Sequence, residues 1–226
     1  MRLFKKKKKD APGSMKLALK NARDLWGITP RHVLDIGAAQ GKWSVMCSGV
    51  WPSANYVLVE PLEENLAPIS EMIASRKNWH HVAAAAGAES GEVIFSVTED
   101  LDGSAVYDEK LGLEKRTVPL VSLDEICPEE GPYLLKLDTH GFEIPILKGS
   151  TSLLERTELI IVEAYGHQIT ANSLLFGEMC GYLGERGFRV VDIVEIMRRP
   201  GDKSLWQMDL VFLRSEHPVF KNNSYQ

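Results

Sequence analysis

The 226-residue chain holds only three cysteines, Cys47, Cys127 and Cys180. Odd in number and widely spaced, they supply neither a disulfide framework nor the paired spacing of a zinc knuckle, and read as small buried hydrophobes. Long apolar runs are also missing. Asp, Glu, Lys or Gly interrupts every stretch well short of the roughly 20 apolar residues a membrane-spanning helix needs. The start, Met1 to Ser14, lacks the apolar segment of about 7–15 residues that marks a secretory signal, so the sequence predicts a cytoplasmic protein. Eighteen glycines and eleven prolines without a period exclude collagen-like and low-complexity chains. Positive charge is scarce beyond the first 24 residues: those carry nine Lys or Arg against two Asp, net +7, and the rest carries seventeen against twenty-nine acidic residues, net −12. An acidic body argues against a nucleic-acid-binding face, which needs clustered Lys and Arg.

What is present fits one globular domain: 44% hydrophobic and 25% charged residues are ordinary for a soluble fold with a sizeable core. Residues 1–14 are predicted as a basic disordered tail. Its pentalysine, Lys5–Lys9 beside Phe4, reads as a solvated tail or as a weak electrostatic contact to an anionic membrane. Residues 15–226 are predicted as the folded domain, and its first helix, over Met15–Trp26 within the segment 15–29, reads as a lid or cap.

Short apolar runs then alternate with helical spacing. Val33–Ile36, Tyr56–Val59, Val82–Ala86, Tyr133–Leu137 and Leu159–Val162 are strand-like, and most are continuously apolar, which means a sheet covered on both faces. Lys42–Ser48, Glu63–Ser75, Glu143–Leu154 and Asn172–Arg186 carry helical spacing between them. The pattern predicts an α/β fold with a doubly wound, mostly parallel sheet. Two departures stand out. Glu92–Val97 and Arg116–Val121 read as an inserted hairpin and loop within 88–122. Arg189–Ile196 and Gln207–Leu213 are joined by too short a link for a helical crossover, so they are predicted to be antiparallel.

The strongest local signal is Val33-Leu34-Asp35-Ile36-Gly37-Ala38-Ala39-Gln40-Gly41-Lys42, a strand entering a glycine turn and a helix. Gly37 permits a sharp turn with a ligand against the backbone, Gly41 permits close packing at the helix start, and Asp35 is placed to orient loop amides or a ligand ammonium. The spacing lacks the middle glycine of a pyrophosphate site, and an acidic strand end suits a cationic moiety better than phosphate. That favours S-adenosylmethionine over NAD. Glu60, nineteen positions after Gly41, ends the second strand before Pro61 and is placed to accept ribose hydroxyls. Ala83–Ala86, before Gly87, offers either a small-walled slot for adenine or a tightly packed strand. His80 and His81 precede it at a strand start and point to no metal role.

Together with Glu60-Pro61 and this glycine turn, the blocks Val118-Pro119-Leu120-Val121-Ser122-Leu123-Asp124, Leu135-Lys136-Leu137-Asp138-Thr139-His140-Gly141-Phe142-Glu143 and Leu147-Lys148-Gly149, and the end Gln207-Met208-Asp209-Leu210-Val211-Phe212, resemble the FkbM-type S-adenosylmethionine-dependent methyltransferases over roughly residues 30–215. The resemblance implies a Rossmann-like class I methyltransferase with a seven-stranded sheet, and O-methylation of a small molecule, sugar or glycan. The implied cofactor site takes in Asp35, Gly37, Ala38, Gly41, Glu60, Pro61, Ala86 and Asp138.

At the end of the fourth main strand Asp138 is placed to hold the methionine ammonium or the acceptor. His140 is suited to accept the hydroxyl proton, and it stands where the family more often has Glu or Gln. A structural His capping the turn is the alternative. Glu143 suits a helix N-terminus, and Glu163 with His167 forms a second polar candidate. Asp138 and Glu163 also raise the option of Mg²⁺. Two other readings are an NAD-dependent oxidoreductase and an inactive cofactor-binding scaffold held by the Lys tail.

Overall fold

The computed structural model describes residues 10–99, 101, 103–106, 114–127, 130–171 and 173–225. Lys5–Lys9 with Phe4, and most of the loop expected over Glu99–Leu113, lie outside the described residues. In chain order the elements are α1 Met15–Asp24, β1 His32–Ile36, α2 Lys42–Ser48, β2 Asn55–Val59, α3 Glu63–Ile73, β3 Trp79–Val82, β4 Ala85–Gly87, β5 Gly91–Val97, β6 Ala105–Val106 and β7 Glu114–Ser122. There follow α4 Leu123–Ile126, β8 Tyr133–Leu137, α5 Glu143–Lys148, α6 Thr151–Glu155, β9 Thr157–Tyr165, α7 Phe176–Gly184, β10 Phe188–Arg198 and β11 Leu205–Arg214.

Seven strands form the main sheet in the order β10-β11-β9-β8-β1-β2-β3. The pairs from β9 to β3 are parallel, while β11 runs antiparallel to both β9 and β10. The continuous apolar runs are covered on both faces, as their composition requires. Along β1, β8 and β9, alternate residues divide between two cores. Ile36, Leu135, Leu137 and Val162 pack on the side of α5, α6 and α7, and Val33, Leu134 and Ile161 on the side of α1 and α2. Tyr133, Leu134, Leu135 and Leu137 are fully enclosed, each stabilising the fold by about 1.5–3 kcal/mol. β8 is therefore a firm base for the loop at its carboxyl end, which carries Asp138 and His140.

Three expectations change. Helix α1 is not a lid: Met15, Ala18, Leu19 and Ala22 are buried in the sheet core. The strand expected over Val82–Ala86 is two strands. β3 pairs with β2 as far as Val82, and Ala85–Gly87 then pairs with β7 in a separate four-stranded sheet ordered β4-β7-β5-β6. The inserted hairpin, β5 against antiparallel β7, belongs to that second sheet. Finally, the helix expected over Glu143–Leu154 is two helices, α5 and α6, and between them Gly149 packs against β4, where an added Cβ would stand 2.1 Å from the Gly87 carbonyl oxygen.

Between β2 and β8, β1 sits where the strand order reverses. In open α/β sheets the crevice for ligands lies there, beyond the carboxyl ends of the strands.

Candidate active site

A cavity of about 830 Å³ occupies that crevice, within the roughly 300–1,000 Å³ typical of small-molecule sites. One end is walled by Ile36, Gly37, Ala39, Glu60, Pro61 and Ala84–Ala86; the other by Asp138, His140, Glu163, Tyr165, Trp206 and Gln207. Leu101, Ser104 and Ala105 of the insertion close one side, and no residue of α1 contributes. The wall contains no Lys or Arg among the described residues, so no described side-chain cation there would face a pyrophosphate.

The first end is held by backbone contacts. Gly37, at φ +76°, is required because the loop after β8 presses on it: an added Cβ would lie 1.9 Å from the Asp138 carbonyl oxygen. The sharp turn expected here is present, and Gly37 also lines the cavity. Gly41, at φ +72°, starts α2 against Met72 and Leu58, as close packing anticipated. The Glu60 carboxylate is buried and accepts from the Ala39 N–H (2.9 Å), the Leu62 N–H (3.0 Å) and Asn65 Nδ2 (3.2 Å). It thereby holds Ala39 at φ +44°, a costly conformation for a residue with a Cβ. A carboxylate offers about four acceptor positions, so capacity for a ligand hydroxyl remains.

Asp35, Ala38 and Gly41 do not line the cavity. Asp35 lies beneath it, accepting from Ser44 Oγ at 2.7 Å, and burial pushes its carboxyl up to about 6 against the pull of Lys136. Pro61 and Ala86 do line it. His81 places Nε2 3.2 Å from the Glu60 carbonyl oxygen.

The second end centres on a buried cation. Lys136, side by side with Asp35 in the sheet register, is almost wholly buried and bonds Asp138 Oδ2 at 2.7 Å. Burial alone would lower a lysine, but Asp138, Asp209 and Asp35 around it raise it above its ordinary value. Burial likewise pushes the Asp138 carboxyl up, yet Lys136 and His140 outweigh it and hold it below the usual carboxylate value. His140 adopts φ +51°, a strained conformation of the kind that clusters at working sites. Its Nδ1 lies 3.2 Å from the Ser104 carbonyl oxygen. A carbonyl only accepts, so Nδ1 carries the proton and, in the neutral ring, Nε2 is the free lone pair. Nε2 lies 3.6 Å from Glu163 Oε2 and 3.8 Å from Asp138 Oδ1. Glu163 accepts from Tyr165 Oη and from Gln207 Nε2, and burial followed by the Asp138 charge pushes it up to about 7.

Asp138 and Glu163 thus do come together, and with His140 they present donor atoms within 4.8 Å of one another. They do not fit Mg²⁺. Glu163 is engaged by two donors, and a mixed nitrogen and oxygen set is not the hard oxygen shell Mg²⁺ requires. Glu143 opens α5, as expected of a carboxylate at a helix N-terminus, whereas His167 is not part of the cavity wall. Glu143 is buried and accepts from the Gly141 N–H (3.0 Å) and Thr139 Oγ1 (3.1 Å), which braces the loop carrying His140. His167 turns out of the cavity to Ser204 Oγ at 3.1 Å and lies beside Trp206 with the rings tilted by 31°. The sequence reading missed Ser104, Tyr165, Gln207 and Trp206. Alternation along β9 puts Glu163 and Tyr165 on one face, but the register Gln207↔Tyr165 has no local signal.

The methyltransferase FkbM domain family matches this chain over residues 35–190. Among solved structures, an FkbM methyltransferase from Methylobacillus flagellatus superposes with a TM-score of 0.54 and 16% identity, over 80% of this chain and 43% of that one. The present chain therefore spans less than half the length of that relative. A 1,6-didemethyltoxoflavin-N1-methyltransferase from Burkholderia thailandensis, solved with 1,6-didemethyltoxoflavin and S-adenosylhomocysteine, superposes with a TM-score of 0.51 and 11% identity, over 89% and 77% of the two chains. At these identities the likeness is one of fold. A comparison with curated proteins finds no match.

Proposed function

The chain belongs to the FkbM methyltransferase family, and on that premise we propose that it moves the methyl group of S-adenosylmethionine to a hydroxyl oxygen of a small molecule, sugar or glycan. One observation carries this reading: a single cavity joins the Glu60 end to the Asp138, His140 and Glu163 end, with carboxylates and no Lys or Arg on its described wall. Such a wall suits a cofactor that is cationic and free of phosphate, and it disfavours a dinucleotide.

The donor groups fit that cofactor. Glu60 has acceptor capacity left for a ribose hydroxyl, Ala84–Ala86 leave a shallow strip for a planar base, and Asp138, kept ionised by Lys136, suits an ammonium. When bound, S-adenosylmethionine supplies an electrophilic methyl on a sulfonium. His140 Nε2 accepts the proton of the acceptor hydroxyl. The imidazolium formed then stands between two carboxylates, Asp138 and Glu163, which stabilise its charge. The Ser104 carbonyl fixes the ring orientation, and Tyr165 and Gln207 fix Glu163. The fold contributes mainly proximity and alignment. A calorimetric titration tests the reading: one-site binding of S-adenosylhomocysteine with no binding of NADH is expected, and the reverse preference would refute it.

A further inference from the structure

The cavity end that holds His140 carries a feature the proton transfer does not use, an aromatic wall. Trp206, in β11, lines the cavity and is only half-buried. Its indole is braced by two rings. Buried Tyr165 meets it edge to face at 77° with centroids 6.4 Å apart, and the His167 imidazole lies 5.8 Å away, tilted by 31°. His167 is fixed in turn: Ser204 Oγ lies 3.1 Å from its Nε2 and donates to Asp202 Oδ1 at 2.7 Å. The Trp206 carbonyl accepts from the Gly166 N–H at 2.8 Å, so backbone and side chain are both anchored. A large ring already immobilised loses little further freedom when a flat partner lies on it.

This platform shares its supports with the proposed base. Trp206 directly precedes Gln207, whose amide donates to Glu163, while Tyr165 reaches Glu163 with its hydroxyl and the indole with its ring. Glu163 Oε2 lies 3.6 Å from His140 Nε2. The polar groups nearby favour one class of hydroxyl. Gln207 and Tyr165 donate to Glu163, Gln168 Nε2 donates to the Ala171 carbonyl at 3.0 Å, and the Ser104 hydroxyl accepts from the Thr98 N–H at 3.0 Å. Beside them Leu101, Ile169 and Met197 make the wall apolar. A sugar ring entering here would bury several hydroxyls against groups already engaged, a loss for each one left without a partner. A phenol buries one, and that one meets His140. Acidity points the same way: phenols ionise near about pH 10, close enough to an imidazole at about 6.5 for proton transfer, and sugar hydroxyls are far weaker acids.

We infer that Trp206 is the acceptor platform of this site, and that the acceptor is a planar aromatic molecule bearing the reacting hydroxyl rather than a sugar. The reaction rests on the methyltransferase reading; the platform does not. In the transfer the phenolic oxygen bonds the methyl carbon as the carbon–sulfur bond breaks, its electron pair stays on sulfur, and the hydroxyl proton passes to His140 Nε2. Trp206 takes no part in these bond changes and acts on acceptor affinity.

The test is saturation-transfer NMR of the full chain with 2-naphthol and with methyl glucoside, each with and without S-adenosylhomocysteine. Binding of 2-naphthol is expected, and none of methyl glucoside at the same concentration. Trp206→Leu should weaken 2-naphthol binding about tenfold, and Trp206→Phe by no more than about threefold. Both should keep the parent's affinity for S-adenosylhomocysteine, read by calorimetry. The proposal is overturned by methyl glucoside binding as tightly as 2-naphthol, by no binding of 2-naphthol to the parent, by a folded Trp206→Leu variant that binds it as the parent does, or by methyl transfer to methyl glucoside in preference to 2-naphthol. A parent that binds 2-naphthol but not S-adenosylhomocysteine would count against the methyltransferase reading and leave the platform in place.

Discussion

At one end of the cavity Glu60 takes its donors from two neighbouring turns, Ala39 on one side and Leu62 and Asn65 on the other. At the other end His140 depends on groups that lie far apart in the chain: the Ser104 carbonyl, Asp138, and Glu163 held by Tyr165 and Gln207. The first end is a rigid cradle of backbone and one carboxylate. The second is a set of coupled charges whose balance turns on Lys136. The two ends should therefore fail differently, one by losing affinity and the other by losing rate.

The largest effect should come where the ends touch. Gly37→Ala drives a Cβ to 1.9 Å from the Asp138 carbonyl oxygen at a positive φ, and should cost about 3 kcal/mol or more. The urea midpoint should fall, and both affinity and turnover should suffer. Next, His140→Ala should lower kcat by about 100-fold or more and leave S-adenosylhomocysteine affinity unchanged, which separates the ends cleanly. Glu60→Ala removes three hydrogen bonds and the acceptor proposed for ribose. It should weaken cofactor affinity by roughly 10- to 100-fold, with a smaller change in rate once the cofactor is saturating.

Glu163 gives the subtlest test. Its carboxyl is pushed up to about 7, so it is protonated below that pH and ionised above it. Since the ionised form stabilises the His140 imidazolium, the rate should rise as pH increases through about 7. Glu163→Gln should flatten that rise to a lower plateau. A variant that kept the same inflection would assign it to another group.

The same contrast explains what could be read in the sequence. The turn from Asp35 to Lys42 and the strand ending at Glu60 are local, and their apolar runs and glycines announced both the fold and the first end. The antiparallel closure was also legible, because the link from Arg198 to Ser204 is too short for a crossover. Placement within the fold was less so. Asp35 lies at the right strand end yet turns to Ser44 and Lys136, since sheet register pairs it with Lys136. The Ala83–Ala86 run gave no sign that the chain leaves one sheet for another, because that exchange is set by pairing with Leu120–Ser122 far downstream. Tyr165, Gln207 and Ser104 carry no pattern of their own; topology alone brings them to His140.

The most direct test of the account is a paired calorimetric titration with S-adenosylhomocysteine of the parent, Glu60→Ala and His140→Ala. One-site binding by the parent is expected, retained in His140→Ala and weakened by at least about 10-fold in Glu60→Ala. Equal affinity in all three, or loss in His140→Ala alone, would contradict it.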